Sequence, residues 1–211
     1  MQRGRLITVE GVDGAGKTTL VDALAGALRA RGREVAVLRE PGGVELSERI
    51  RELVKDPALH VHPRAEALLY AAARAQLVAE QLEPRLAAGD WVLLDRFVDS
   101  SLAYQGAGRD LGVEPIRRLN AFATGGLLPD RTVLLRIDPA AGLARAAGRR
   151  AGEDADRLER EALAFFAAIA AAYDDLAAAE PDRFAVVDAG GEPSAVLADA
   201  LAALEPLLQL S

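Results

Sequence analysis

Cysteine is absent from the chain. That excludes disulfides, cysteine-ligated zinc, iron–sulfur clusters and a thiol nucleophile. Two histidines are too few for a histidine-built metal cluster. Lysine is nearly missing as well: of 25 basic residues only Lys17 and Lys55 are lysine, so a lysine here deserves a chemical reason. No stretch approaches the ~20 apolar residues of a membrane span. The opening Met1-Gln2-Arg3-Gly4-Arg5 has no long apolar signal-peptide core and no small-residue cleavage site. A soluble cytoplasmic protein with no membrane partner is expected. An excess of positive charge is also lacking, the net charge being −7 and the pI about 5.0. This argues against nucleic-acid binding, whose usual footprint is a basic face.

What remains is ordinary globular composition, 51% hydrophobic and 27% charged over 211 residues. That length predicts one domain, 1–211. Short apolar runs at 5–9, 35–38, 91–94, 132–137 and 184–187 read as strands. They are continuous rather than alternating, the pattern of a parallel sheet covered on both faces. Between them, helical spacing predicts helices over 20–31, 47–54, 66–86, 140–147, 158–179 and 193–208, with others near 99–104 and 115–123. Leu46, Ile50, Leu53 and Val54 share one side of the second helix. Leu163, Phe166, Ile169, Tyr173 and Leu176 form a packing stripe in the Ala-rich segment. Strands alternating with helices make the class three-layer α/β. The segment 148–156 is polar, glycine-containing and dense in charge of both signs, the signature of a surface loop.

The strongest motif is Gly11-Val12-Asp13-Gly14-Ala15-Gly16-Lys17-Thr18. It matches G-x-x-x-x-G-K-[ST] at every fixed position, with a strand before it and a helix after it. The glycines let successive N–H groups turn inward onto phosphate oxygens. The helix from Thr19 onward aims its positive end at the same point. Lys17 is expected to reach the β- and γ-phosphates, and Thr18 to offer its hydroxyl to magnesium. Kinases, GTPases, ATPases and ATP-dependent ligases all use such a loop. A Ras-like GTPase is disfavoured, because guanine readers carry Asn-Lys-x-Asp and the sole asparagine, Asn120, precedes Ala121-Phe122.

A second motif, Asp95-Arg96-Phe97, ends an apolar strand. A carboxylate there can organise magnesium and its waters, and the arginine can fork onto a phosphate. Three further segments complete the set: Arg39-Glu40-Pro41-Gly42-Gly43, Tyr70 with Arg74 four residues on, and Ser100-Ser101-Leu102-Ala103-Tyr104-Gln105-Gly106. In this order and at these distances they resemble the bacterial thymidylate kinases, from Leu6 to about Asp188. The resemblance implies a P-loop fold with a five-stranded parallel sheet flanked by helices and a short lid at about 148–156. It implies a homodimer that uses Mg2+ and ATP to phosphorylate dTMP, a step toward dTTP.

Residue roles follow from the resemblance. Gly11 to Thr19 would hold ATP. Tyr70 would stack on thymine, and Arg74, on the same helix face, would approach a thymine carbonyl. Ser101 and its neighbour Ser100 would meet the base edge, with Gln105 nearby. Tyr104 would pack against the sugar C2′ and exclude a ribose hydroxyl. Arg96 would grip the monophosphate, with Arg39 and Arg51 as further candidates; for Arg51 a solvated helix face is an equal alternative. Asp13 would orient substrate or an arginine, a carboxylate among phosphates being costly unless paired. Thr18 and Asp95 would serve the metal.

Phosphoryl transfer needs positive charge on the moving group. Thymidylate kinases take it from an arginine in the loop or in the lid. The loop position here is Gly14, which points to the lid and to Arg149 or Arg150. Pairing of these arginines with Glu153, Asp154 and Asp156 on a solvated surface is the alternative. Adenine would meet the turn at Asp188-Ala189-Gly190. Two rival functions stand beside the resemblance: a deoxynucleoside kinase, and an ATPase switch with no small-molecule acceptor.

Overall fold

Five short strands rich in Val, Leu, Ile and Thr form one parallel sheet in the computed structural model, which describes residues 3–149, 156–158 and 161–209 and of Arg149 the backbone alone. The strands are β1 Leu6–Glu10, β2 Val35–Arg39, β3 Trp91–Asp95, β4 Arg131–Arg136 and β5 Phe184–Asp188. Their order is β2-β3-β1-β4-β5. Leaving β1, the chain builds β2 and β3 on one side and then crosses to β4 and β5 on the other. The carboxyl end of β1 therefore opens into the crevice where ligands of open α/β sheets bind.

Helices cover both faces: α1 Lys17–Ala30, α2 Glu45–Lys55, α3 Pro63–Leu77, α4 Glu83–Ala88, α5 Val98–Ser101, α6 Val113–Thr124, α7 Pro139–Arg149, α8 Leu163–Ala179 and α9 Pro193–Gln209. The three-layer α/β class and the five-stranded parallel sheet are thus found as expected. β1 is buried throughout and β3 and β4 are buried except at their ends, but the edge strands are open: Val37 of β2 and Val186 of β5 stand exposed.

The helix expected over 66–86 is broken into three. A π-helical stretch, Val78–Leu82, separates α3 from α4. Pro84 supplies the reason, since it has no N–H to give the preceding turn and its ring displaces the carbonyl there. A second π-helical stretch, Leu102–Gly108, follows α5 and runs beyond the helix expected near 99–104. The helix expected from 158 begins at Leu163 instead, and α7 runs through 148–149, where a loop was expected. Positions 150–155 of the expected lid lie outside the described residues.

One principal core joins Leu24 and Leu28 of α1, the inner strands, Phe97, Leu102, and Phe166, Ile169, Tyr173 and Leu176 of α8. Leu163 is exposed and leaves that stripe. A smaller cluster holds Ile50, Val54 and Ala73, with Leu69 and Tyr70 against it. Leu46 and Leu53, expected on the buried side of α2, are about half exposed at 47% and 48%.

Candidate active site

The carboxyl ends of β1, β2 and β3 deliver the three motifs to one place. Pairing sets Val9 and Arg39 both level with Asp95, so the phosphate loop, Arg39-Glu40 and Asp95-Arg96 open side by side into a cleft of about 510 Å³. Its wall includes every residue expected to meet the acceptor: Asp13, Arg39, Arg51, Tyr70, Arg74, Arg96, Ser100, Ser101, Tyr104 and Gln105. Gly14, Gly16, Lys17, Thr18, Thr19 and Asp95 line it too. Gly11, Val12 and Ala15 do not. Val12 and Ala15 are buried in the core, and Gly11 and Val12 border a smaller cavity behind the loop.

The loop geometry accounts for its glycines. Gly14 has φ +81, and a Cβ there would lie 1.8 Å from the carbonyl oxygen of Gly142 in α7. No side chain fits, so an arginine is excluded from this position by backbone packing as well as by the sequence. Lys17 is buried and folds over its own loop, its Nζ donating to the carbonyls of Gly11 (3.1 Å) and Val12 (2.9 Å). Burial, and then the nearby Arg96 charge, lower its ammonium to about 8. Thr18 Oγ1 donates to Asp95 Oδ2 at 2.8 Å. A hydroxyl and a carboxylate thus converge at the cleft edge, the hard oxygen donors that magnesium takes together with substrate phosphates. Among the described residues no group of three His, Cys, Asp or Glu could hold a metal unaided.

Asp13 and Arg96 meet between the two halves of the cleft. Arg96 Nη2 lies 2.6 Å from Asp13 Oδ1, and Tyr104 Oη donates to Asp13 Oδ2 at 3.0 Å. Burial favours the neutral Asp13 carboxyl, but Arg96, Lys17 and the Tyr104 hydrogen bond outweigh it and hold the group down at about 2. Arg96 also donates to Gly11 O and Ser100 Oγ, and its guanidinium stacks 5.0 Å from the Tyr104 ring centre. Its backbone has φ +70. A non-glycine residue kept there costs of order 1–3 kcal/mol, and such strain gathers at functional sites.

Two buried carboxylates to which the motif reading gives no role hold this machinery. Glu10, the last residue of β1, accepts from Phe97 N (2.7 Å), Ser100 Oγ (2.6 Å) and Tyr173 Oη (2.9 Å). Since Ser100 in turn receives Arg96, Glu10 anchors that arginine from below, and the Ser100 hydroxyl points inward. Burial raises the Glu10 carboxyl, with the Asp99 charge adding to it. Glu40 receives both Nε (2.7 Å) and Nη2 (2.6 Å) of Arg74 on Oε2. Burial pushes Glu40 up to about 7 despite that partner. The visible signal for Glu10 was a charged residue closing an apolar strand.

Arg74 is 1% exposed. Besides Glu40, it donates to Ser101 Oγ (2.9 Å), Asn120 Oδ1 and Phe97 O (3.0 Å). Four hydrogen bonds and the Nη2–Glu40 ion pair hold it in the wall as a fixed cation. Two further arginines of the cleft are held more loosely: Arg39 pairs with Glu48 at the exposed rim (2.8 Å), and Arg51 donates to Pro41 O (3.0 Å). Gln105 turns its amide onto Glu66 Oε1 (2.8 Å). Arg145 donates to Ala189 O (2.8 Å) and Gly190 O, which brings α7 to the turn expected at adenine. The Arg149 side chain and Arg150 lie outside the described residues.

Comparison with known proteins gives a consistent result. The family model described as thymidylate kinase matches residues 9–200. A thymidylate kinase of Deinococcus radiodurans is 54% identical over 189 residues, 90% of each chain. One from Lactobacillus delbrueckii subsp. bulgaricus is 50% identical over 198 residues, 93% of each chain. The crystal structure of thymidylate kinase from Ehrlichia chaffeensis superposes with a TM-score of 0.78 at 28% identity, covering 96% of this chain and 99% of that one. With the phosphate loop, the Asp-Arg strand end and these matches along nearly the whole length, the chain belongs to the thymidylate kinase family.

Proposed function

We propose that the cleft transfers the γ-phosphoryl group of ATP to dTMP, giving dTDP and ADP. Family membership carries this reaction. The observation that locates it is the shared cleft, in which the phosphate loop faces an acceptor wall across the Asp13–Arg96–Tyr104 contact. An oxygen of the dTMP phosphate attacks the γ-phosphorus as the bridging bond to ADP breaks. Positioning and fixed charge do most of the work in such a transfer. Neither an acceptor-free ATPase nor a deoxynucleoside kinase is favoured, the latter having no use for arginines around an acceptor phosphate.

In this reading the loop from Gly11 to Thr19 cradles ATP, with Lys17 leaving its loop carbonyls for the phosphates. Arg96, with Arg39 and Arg51 at the rim, takes the acceptor phosphate, and Asp13 keeps Arg96 in place. Tyr70, Arg74, Ser101 and Gln105 form the base end, and Tyr104 closes on the sugar. Thr18 and Asp95 would hold Mg2+, which when bound neutralises phosphate charge and orients the triphosphate. Because Gly14 leaves no room for a side chain, the transition-state cation is assigned to Arg149 or Arg150. Full turnover in the double variant Arg149→Ala, Arg150→Ala would remove that assignment.

A homodimer of single-domain chains is proposed as well. Leu46 and Leu53 of α2, Leu68 of α3 and Phe122 of α6 are exposed apolar residues on helices that pack side by side, α2 on α3 and α3 on α6. The compartment proposed is the cytoplasm, where ATP and dTMP are handled; imaging of a tagged chain checks it. Among the described residues no helix is long and apolar enough to cross a membrane. The function itself is tested by ADP release with Mg2+ and ATP, offering dTMP, dUMP, UMP, dCMP, AMP and thymidine separately. Strong turnover with dTMP, less with dUMP and almost none with UMP or thymidine is expected. An equal rate without any acceptor would overturn the proposal.

A further inference from the structure

Residues 156–158 lie beside the acceptor half of the cleft and are tied down at several points. Lys55 Nζ lies 2.8 Å from Asp156 Oδ2. Arg157 N donates to Lys55 O (3.3 Å) and its Nε to Val54 O (3.0 Å), satisfying two carbonyls that the end of α2 leaves without helical partners. Arg157 Nη2 then reaches Glu66 Oε2 at 2.6 Å. Glu66, in the first turn of α3, has no exposed surface. Its Oε1 accepts from Gln105 (2.8 Å), and Arg109 stands beside its Oε2 at 3.3 Å. One wholly buried carboxylate thus joins Gln105 of the cleft wall to residues 156–158. Asp156 and Leu158 line the same cleft beside Lys55 and Tyr70.

We infer that Glu66 is a positioning residue for dTMP: acting through Arg157 and Gln105, it seats the strap 156–158 against α2, so that Asp156 and Leu158 complete the acceptor wall. A carboxylate removed from water is costly unless its charge is paired. At Glu66 that cost is met by the strap arginine together with Arg109, and the buried pair fixes one register of the strap. The inference rests on the reading that this half of the cleft takes dTMP.

The test is steady-state kinetics of the full chain, with dTMP and ATP varied separately, for Glu66→Gln, Arg157→Ala, Arg157→Lys and the double variant Glu66→Gln, Arg157→Ala. Either Glu66→Gln or Arg157→Ala is expected to raise KM for dTMP about tenfold, with KM for ATP within about twofold and kcat within about threefold. The double variant should be no worse than the worse single one, because both cut the same tie. Arg157→Lys, which keeps a charge facing Glu66, should recover part of the loss. Unchanged KM for dTMP, or additive losses in the double variant, would overturn the inference. A rise in KM for ATP alone would instead show that the halves of the cleft are wrongly assigned. Should Glu66→Gln fail to fold, the two Arg157 variants carry the same test from the other side of the pair.

Discussion

Lys17 carries its charge where the surroundings work against it. Burial and Arg96 bring it to about 8 in the free enzyme, far below an ordinary lysine at about 10.4. Below pH 8 it is charged and ready for a triphosphate; above pH 8 the free enzyme loses that charge. The profile of kcat/KM for ATP is therefore expected to fall above pH 8, since it reports groups of the free enzyme. The fall in kcat itself should come at higher pH, because bound phosphates favour the ammonium. Coincident limbs in the two profiles would contradict this. Tyr104 is a second single-residue case. Its hydroxyl holds Asp13, while its ring is stacked on Arg96 and buried. Tyr104→Phe should keep the rejection of UMP and lose activity about tenfold, the loss of a hydrogen bond to a charged group. Tyr104→Ala should admit UMP. If the dTMP-to-UMP ratio of kcat/KM is the same in Tyr104→Ala as in the parent, the ring is no gate. At this scale the motifs were legible, because each supplies a residue type that phosphate chemistry demands. The roles of Glu10, Glu40 and Glu66 were not, because a carboxylate reads as surface until its donors are known.

At the scale of elements, propensity and period located the helices and strands, and local chemistry moved their ends. Pro84 was visible within the expected long helix, and it is the second residue of α4, which follows a π-helical stretch. The split of α5 from its π-helical continuation had no comparable mark. Elements are also joined by charges that no pattern reveals. Arg183, just before β5, makes a two-pronged contact with Asp99 of α5 (2.6 and 2.9 Å) and a third with Glu180 (2.7 Å). Asp99 and the arginine are 2% and 12% exposed along their side chains. Asp99→Ala leaves a largely buried guanidinium without its main partner, and should lower unfolding free energy by about 3–5 kcal/mol, read from urea denaturation. A loss below 1 kcal/mol would mean that Glu180 alone suffices.

For the whole molecule, the exposed leucines correct the simple reading of amphipathic stripes. Ile50 and Val54 of α2 go inward, while Leu46 and Leu53 of the same expected stripe stay at the surface. Replacing Leu46 and Leu68 with glutamate together is expected to give a monomer by sedimentation velocity where the parent sediments as a dimer, with the fold retained by circular dichroism. A monomeric parent, or a variant that remains dimeric, would place the interface elsewhere or remove it. The net charge of −7 also has a whole-molecule meaning. An acidic body bearing arginines around one cleft confines attraction for phosphates to that cleft, since charges beyond about 10 Å are screened at 0.1 M salt.

The amino-acid sequence alone determined the class of fold, the phosphate loop and the family, because glycine, lysine and arginine at those spacings have few other uses and apolar runs between helices admit few other sheets. Tertiary structure alone decided how their residues are held. Only the folded sheet aligns Val9, Arg39 and Asp95, and only its packing puts the Gly142 carbonyl where a side chain at Gly14 would stand. The anchoring of Arg96 by Glu10 spans 86 positions, and the tie from Glu66 to Arg157 spans 91. Contacts at such separations leave no local pattern, since a buried charge is defined by partners that the chain brings near only when it folds.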